Sequence, residues 1–421
     1  MKKTLRYVLF ALLALVITTC VAAALIARFT LAPADGEWQT RINLGPVGFD
    51  VSVPSAIRVA TSPWFAPWLD GRSLDTHFGA VHFAWNDSVG SLQLRCAPCS
   101  ASVPALGSAP IRLDHLTATM RRDGNALAGT LEAMPIANTG TAGATLLRGT
   151  WDGRLTAKSL PVNVDLLNAP IALWYALLAP ALPELQRARI GGTVAIRGQF
   201  TLPVGTFALQ PRIAQFTVEG LGTEAMLGAR SSCGVSVKLS NDSWLARAVI
   251  AAEDQRFFTH TGYDLTELTA SIDSNQKSGR IERGGSTLTQ QLARLLVTGS
   301  ERSAERKLRE LLYAVEMEQT LGKARILQLY LDNAPWGENL CGAESAARRY
   351  FKRSAAKLEP AQAVWMAAML NNPQVAVEKW QRDGNIDAAR AKWVAEGVRG
   401  ISKPQRESLL KHVASARFAA P

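Results

Sequence analysis

Two adjacent carboxylates, Glu253 and Asp254, are the residues in this sequence best suited to acid–base chemistry. They close an apolar stretch and precede the run RFFTHTG, which contains Phe257, His260 and Gly262. A carboxylate at a helix end beside aromatic side chains can have a raised pKa, as a general base or acid requires at neutral pH. Taken alone, the pair is also typical of a solvated helix terminus.

Two further segments carry polar groups suited to an oxygen-rich ligand. In GGSTLTQQLAR, glycines, hydroxyls and paired amides stand at a helix start, a place that favours sugars or a diphosphate. In RSAERKLRE, Arg302, Arg306 and Arg309 recur at helical spacing, and Glu310 neighbours Arg306 and Lys307. Arginine clusters bind phosphate oxygens, although a capped turn and an ion-paired surface helix give the same two patterns.

Five segments in one order carry a family resemblance. EDQRFFTHTG, GGSTLTQQLAR, RKLRELLYAVEME, KARILQLYLDNAPWGENLCGAESAARRYF and AAMLNNP have the order and spacing of glycosyltransferase family 51. This family contains the peptidoglycan glycosyltransferases of penicillin-binding proteins and their monofunctional relatives. The segment from WGEN to RRYF looks most like the monofunctional branch, and the resemblance covers about residues 235–375.

The resemblance implies a lysozyme-like all-α domain that lies against the membrane. Its substrate would be lipid II, an undecaprenyl-diphosphate disaccharide-pentapeptide, and its product a β-1,4 glycan strand formed with inversion at the MurNAc anomeric carbon. Glu253 matches the family's catalytic base, and Glu310 matches the carboxylate near the leaving diphosphate, where Mg²⁺ or Mn²⁺ is an optional aid. The other positions implied to bind substrate are Asp254, Phe257, His260, Gly262, Ser286, Thr287, Gln290, Gln291, Arg294, Arg302, Arg306 and Lys307.

Four residues depart from the family's usual pattern. They are Leu295 for Asn, Gln328 for Glu, Asp332 for Asn and Asn371 for Pro. These departures leave a second hypothesis open, in which a degenerate transferase domain serves as a lipid-binding or envelope-assembly scaffold.

Two other enzyme classes fit less well. A lysozyme-like hydrolase would share the fold and the glutamates but has no use for an arginine-rich diphosphate helix. A penicillin-binding transpeptidase is excluded, because its Ser-x-x-Lys and Lys-Ser-Gly matches overlap within residues 274–279 and leave no room for the required α/β domain.

Composition and charge limit the classes of partner that the protein is expected to bind. The 421 residues are 48% hydrophobic, which excludes a disordered chain and allows two or three domains. The net charge is +11, but the sequence contains no block of six like charges and therefore predicts no nucleic-acid partner. The excess of basic residues favours a surface that faces anionic lipid. The expected partners are lipid II, the growing glycan strand, inner-membrane lipid, and a separate transpeptidase or envelope complex.

The N-terminus predicts a membrane anchor. Lys2, Lys3 and Arg6 precede an uncharged run at residues 7–27, which as a helix would span roughly 30 Å. A cleaved signal peptide has a shorter apolar region, so an uncleaved single-pass anchor in the bacterial inner membrane is favoured. The positive flank should stay cytoplasmic and the bulk of the chain periplasmic.

The predicted fold class is α+β and multidomain. Residues 1–29 form the cytoplasmic stub and anchor, and residues 36–226 form a β-rich domain of unknown role, because apolar residues alternate at period two between turn formers. From Ser240 the period becomes 3.6, which predicts an α-helical catalytic domain at 235–385 and a helical tail at 386–421. The apolar segment at 170–185 predicts a helix packed on the sheet, or an interfacial lipid contact.

The cysteines suggest two disulfides and no structural metal. In an oxidising compartment the motif Cys96-Ala-Pro-Cys99 favours a local bridge, and Cys233 and Cys341 are left to pair with each other. No Cys/His spacing typical of zinc is present in the sequence.

Overall fold

The computed structural model describes residues 30–44, 47–102, 110–136, 146–278, 284–301, 303–337 and 339–420. The predicted anchor at 1–29 and Arg302 lie outside these ranges. Within them, no helix combines the length and the apolar character needed to span a membrane.

The chain forms two compact units whose limits differ from the predicted domains. The first contains the described residues up to Ser102, with Pro110–Ala169 and Val194–Arg212. The second contains Pro170–Thr193 and residues 213–420. The β-rich first part and the helical last part of the chain confirm the predicted mixed α and β content.

The main element of the first unit is a long antiparallel sheet. Half-buried and exposed residues alternate along its strands, as expected when successive side chains point to opposite faces. In the described part of the chain its order is β12-β11-β10-β9-β8-β7-β5-β4-β3, with β6 pairing to β7. The first residues of β11, 189–193, and the last residues of β12, 213–219, belong to the second unit. The strands are β3 (Ser73–Thr76), β4 (Gly79–Asn86), β5 (Ser91–Cys96), β6 (Cys99–Ala101), β7 (Ile111–Asp123), β8 (Ala126–Pro135), β9 (Leu147–Arg154), β10 (Leu160–Pro170), β11 (Arg189–Leu202) and β12 (Thr206–Glu219).

The start of the described chain packs against the sheet near one end of its strands. The hairpin of β1 (Gln39–Leu44) and β2 (Val47–Ser52) leads into helices α1 (Val53–Ala60) and α2 (Ala66–Leu69). Here Trp38 and Ile57 pack against a core cluster of the sheet, formed by Leu127, Leu155 and Leu160.

Helices form most of the second unit. Ser243 caps α4, because its side chain accepts from the Ala246 N–H. The helices are α3 (Ile171–Leu178), α4 (Trp244–Glu253), α5 (Leu265–Ser278), α6 (Leu288–Ala293), α7 (Ala304–Thr320), α8 (Gly322–Asn333), α9 (Ala343–Phe351), α10 (Pro360–Met369), α11 (Pro373–Asp383), α12 (Ala388–Gly397) and α13 (Lys403–Ser415). A small hairpin joins β13 (Pro335–Gly337) to β14 (Leu340–Cys341).

Both cysteine pairs considered from the sequence are bonded. Cys96 and Cys99 are joined with their Cα atoms 5.5 Å apart, beside strand β6. Cys233 and Cys341 are joined at 5.1 Å, which fastens the segment before α4 to the β13–β14 hairpin.

Candidate active site

Glu253 is the last residue of α4, and packing fixes its position. The helix buries Leu245, Val249 and Ala252 in the core, so that its end projects the Glu253 side chain, only 13% exposed, toward neighbouring helices. The Gln291 amide of α6 donates to Glu253 Oε2 at 3.2 Å. Because Tyr330 of α8 donates to Gln291 Oε1 at 3.1 Å, this amide presents its nitrogen to the carboxylate.

An arginine from the C-terminal part of the chain, Arg390, also contacts the Glu253 carboxylate. Arg390 of α12 donates from Nη2 to the Ala252 carbonyl at 2.8 Å and to Glu253 Oε1 at 3.3 Å. Burial raises the pKa of Glu253 above its ordinary value, and the Gln291 hydrogen bond and the charges of Arg390 and Arg294 offset part of this rise. The site therefore holds a carboxylate that is more basic than a solvated one.

Asp254 supports the structure of the site. Both of its oxygens accept from His260 Nε2, at 3.1 and 2.9 Å, and Oδ2 also accepts from the Leu288 main-chain N–H at 2.9 Å. His260 Nδ1 accepts from the Gly262 N–H at 3.2 Å, which assigns the ring proton to Nε2. Asp254 thus joins the end of α4 to the start of α6.

The start of α6 is held by a capping box. Thr287 accepts from the Gln290 N–H, and Gln290 Oε1 accepts from the Thr287 N–H at 3.1 Å. The Thr287 hydroxyl also donates to the Gly262 carbonyl at 2.7 Å. Gly262 has φ +93°, and a Cβ there would lie 2.7 Å from the Ala314 carbonyl oxygen, so only glycine lets this loop approach α7.

A second carboxylate, Glu310 of α7, lies among cations. It is 1% exposed and pairs with Arg306 through Oε1 and with Lys307 Nζ at 2.7 Å through Oε2. Lys307 Nζ also donates to Ser286 Oγ at 2.6 Å, so that α7 is tied to the segment before α6. Burial, with the charges of Arg306 and Arg294, lowers the pKa of Lys307 to about 8.

Arg294 connects the two carboxylate sites electrostatically. It follows α6 at the start of a π-helical turn, Arg294–Thr298. Its charge lowers the pKa of Glu253 and also lowers that of Lys307, so both groups lie within its field. One region therefore combines a basic carboxylate with cations suited to an anionic leaving group.

One predicted substrate residue, Phe257, lies in the core. Phe257 is fully buried and packs edge-on against Phe258 and His260, with Lys323 Nζ 4.4 Å from its ring centre. The ring of Phe257 is therefore part of the core, and its contact with substrate stays a prediction. Phe258 beside it is the exposed ring, and the sequence does not distinguish the two.

The comparisons with known proteins concern this half of the chain. Residues 234–399 match the family model described as Transglycosylase. Three relatives are each described as a biosynthetic peptidoglycan transglycosylase. The protein from Thiobacillus denitrificans is 47% identical over 137 residues, that from Alcanivorax borkumensis 43% over 151, and that from Nitrosomonas eutropha 44% over 130.

Residues 234–399 belong to the transglycosylase family. The matches cover 31–36% of this chain and only 53–61% of the three relatives. This confirms the resemblance drawn from the five motifs. The family match also extends to residue 399 and includes Arg390, beyond the predicted limit of the catalytic domain at 385.

Residues before the transglycosylase match also contact its helices within the second unit. Arg309, which the sequence grouped with Arg302 and Arg306, instead pairs with buried Glu184 at 2.8 Å. Tyr175 of α3 donates to the Leu308 carbonyl at 3.1 Å. The apolar segment predicted to lie on the sheet or on lipid therefore packs beside α7, which carries the cations.

A third contact involves the loop after β12. The carboxylate of Glu316, 2% exposed, accepts from the main-chain N–H groups of Leu221 at 2.7 Å and Thr223 at 3.3 Å. Together, residues 170–193 and 213–227 contact the side of α7 that carries Arg309 and Glu316.

Proposed function

We propose that this protein is a peptidoglycan glycosyltransferase that polymerises lipid II. The observation that carries the proposal is the raised pKa of Glu253, on a side chain held by Gln291 and Arg390, within the field of the same Arg294 that acts on Lys307. The family and the names of its relatives support this reaction class.

The chemistry follows from the two carboxylates. Glu253 takes the proton from the acceptor's GlcNAc 4-hydroxyl as that oxygen attacks the donor's MurNAc anomeric carbon. The bond from this carbon to the diphosphate breaks, and its electron pair leaves with the undecaprenyl diphosphate. A single displacement converts an α linkage into a β-1,4 linkage, with inversion.

The cations serve the leaving group. Arg306, Lys307 and Arg294 compensate the charge that develops on the diphosphate. Glu310 keeps Arg306 and Lys307 fixed through two ion pairs, so these cations need little reorganisation when the diphosphate arrives. We expect Ser286, whose hydroxyl accepts from Lys307 Nζ at 2.6 Å, to contact the same ligand.

Glu310 is the position at which the family resemblance implies an optional divalent cation. Both Glu310 oxygens already face cationic side chains, and the described residues contain no cluster of three or more Asp, Glu, His or Cys side chains suited to a metal. These groups fit a diphosphate held by Arg and Lys better than a protein-bound metal. No step is therefore assigned to Mg²⁺ or Mn²⁺.

Membrane attachment completes the proposal. The uncharged run at residues 7–27 is long enough to span a bilayer and would hold the protein beside a substrate with a polyprenyl tail. The cellular location proposed is the bacterial inner membrane, with the catalytic unit on its periplasmic side and a separate transpeptidase as partner.

Polymer formation from labelled lipid II by the full-length protein tests the proposal. Wild type should produce lysozyme-sensitive glycan, and Glu253→Gln should reduce the rate by about 10²–10⁴-fold, the usual contribution of a positioned base. Glu396→Gln, at an exposed carboxylate of the same domain, should leave the rate unchanged.

The outcome separates the alternatives. A folded Glu253→Gln protein that polymerises at the wild-type rate would exclude Glu253 as the base. No polymer from wild type, with the chain folded and bound to lipid, would favour the scaffold. Cleavage of preformed glycan without polymerisation would indicate a hydrolase.

A further inference from the structure

Two tryptophans of the first unit are exposed to an unusual degree. Trp64 and Trp68 are 68% and 70% exposed, whereas Trp336 and Trp380 are fully buried. The exposed pair stands in the sequence SPWFAPWL at and before the short helix α2. Large exposed apolar groups of this kind mark interaction sites more often than ordinary surface.

The sheet register places this pair at one end of the sheet. Asp70 Oδ1 accepts from the Trp85 N–H at 2.9 Å, one residue before the end of β4. The turn after β4 pairs Asn86 with Ser91 and contains Val89, whose side chain is 54% exposed. Trp68 therefore lies close to a turn that also exposes an apolar side chain.

The chain enters the first unit at the same end. Ser91 pairs with Arg121, so the β7–β8 turn lies beside the β4–β5 turn. Ala126 pairs with Arg154, so the β9–β10 turn lies at the same end of the sheet. The Trp38 N–H donates to the carbonyl of Ala157 in that last turn at 2.9 Å. The chain thus reaches the sheet, at Trp38, on the end that carries the two exposed tryptophans.

We propose that this end of the sheet, with Trp64, Trp68 and Val89, docks on the bilayer surface. The proposal rests on the membrane attachment proposed above, because the apolar run at 7–27 ends 11 residues before Trp38. A bilayer in that position faces this end. Tryptophan suits the occupant, since its amphipathic ring favours the membrane–water interface.

The charges at this end indicate how the surface binds. Arg58 and Arg122 lie beside the β7–β8 turn, but Asp70 and Asp87 lie beside the β4–β5 turn. Since both signs are present, docking depends on the apolar side chains more than on anionic lipid. We therefore expect contact with zwitterionic vesicles and little effect of salt.

Depth-dependent quenching in vesicles tests the proposal on the full chain. A Cys20→Ala background leaves only the four disulfide cysteines, and Trp64→Cys or Trp68→Cys then takes an environment-sensitive dye. Leu167→Cys is the matched control, because it is 57% exposed and lies about 23 Å along β10 from Leu160, away from this end.

In phosphatidylcholine vesicles the dye at 64 and 68 should shift to the blue and lose most of its emission to shallow spin-labelled lipid. The dye at 167 should keep its emission in water. Equal quenching at the three positions would overturn the proposal, as would no quenching at any of them in a chain that floats with the vesicles.

The other outcomes are also decisive. A chain that does not float with vesicles would overturn both this surface and the proposed anchor. Shielding at 64 and 68 that depends on protein concentration and not on lipid would identify a second copy as the occupant, against the bilayer. Polymerisation of lipid II in the same vesicles reports separately on the proposed reaction.

Discussion

Arg390 Nη2 lies 3.3 Å from Glu253 Oε1 although 137 residues separate the two in sequence. The same nitrogen also donates to the Ala252 carbonyl at 2.8 Å, so one guanidinium binds the end of α4 and its carboxylate together. Its plane lies over Trp393, at 4.5 Å from the ring centre. Arg390 is thus a positioning residue for the proposed base, supplied by the last part of the family domain.

Removing this guanidinium should move the acid side of the pH–rate profile. The Arg390 charge lowers the pKa of Glu253, so Arg390→Gln should raise that pKa and require a higher pH to deprotonate the base. We expect the acid limb to move to higher pH, because the neutral glutamine no longer stabilises the carboxylate form of Glu253. Arg390→Lys keeps a positive charge and should therefore shift the acid limb less than Arg390→Gln does. A uniform loss of rate at every pH would point to a purely structural role.

Lys307 should define the alkaline side of the same profile. Its pKa, lowered to about 8 by burial and by Arg306 and Arg294, means that the cation is lost as the pH rises through that value. Polymerisation should therefore rise as Glu253 deprotonates and fall above about pH 8. Lys307→Arg should move the alkaline limb upward, because arginine stays charged to above about pH 12.

A neutral variant separates charge from shape at this position. Lys307→Gln should lower the rate by about 10²-fold at pH 7, as the loss of one preorganised donor does at comparable sites. An unchanged alkaline limb in Lys307→Arg would assign that limb to another group.

The family motifs predict the local parts of this site and miss the distant ones. Thr287 could be identified as a cap because a capping box is written within four consecutive residues. Phe257 and Phe258 are chemically alike, and only tertiary packing decides which ring is buried. Arg390 and Glu184 act through contacts more than 120 residues apart, which no local pattern contains.

Two departures from the family pattern compensate each other. Gln328 accepts from the Leu239 N–H at 3.0 Å and donates from Nε2 to Asp332 Oδ1 at 2.9 Å and to the Val237 carbonyl at 3.2 Å. The family usually has Glu at position 328 and Asn at position 332, so it also has one carboxylate and one amide, but at exchanged positions. The pair is thus an exchange and not a loss, which weakens the argument for a degenerate domain.

This exchange predicts a non-additive double mutant. Gln328→Glu alone would set two carboxylates against each other and remove the donor to Val237, so we expect a loss of about 1 kcal/mol in the free energy of unfolding. Adding Asp332→Asn should recover most of it, measured by urea unfolding at neutral pH. Simple addition of the two single effects would show that the side chains are not coupled.

The last prediction concerns where the functional domain begins. The family match starts at residue 234, but α7 also receives Glu184 and Arg187 from the segment after α3, and Leu221 and Thr223 from the loop after β12. A fragment starting at residue 230, which keeps the Cys233–Cys341 disulfide, would leave the buried carboxylate of Glu316 without its two main-chain donors, and Arg309 without its acid. We expect this fragment to lose roughly 3 kcal/mol of stability and most of its polymerising activity, because α7 carries Arg306, Lys307 and Glu310.

Substitutions in the full chain isolate this support from the effect of truncation. Glu184→Gln removes the charge that faces Arg309 inside the second unit and should lower both the midpoint of thermal unfolding and the rate. Arg189→Gln breaks a pair in which both side chains are exposed and should change neither. The raised pKa of Glu253 should persist in Glu184→Gln, since its causes lie in α4, α6 and α12, so the acid limb should not move. A 230–421 fragment as stable and as active as the full chain would instead show that α7 does not need the segments before residue 230.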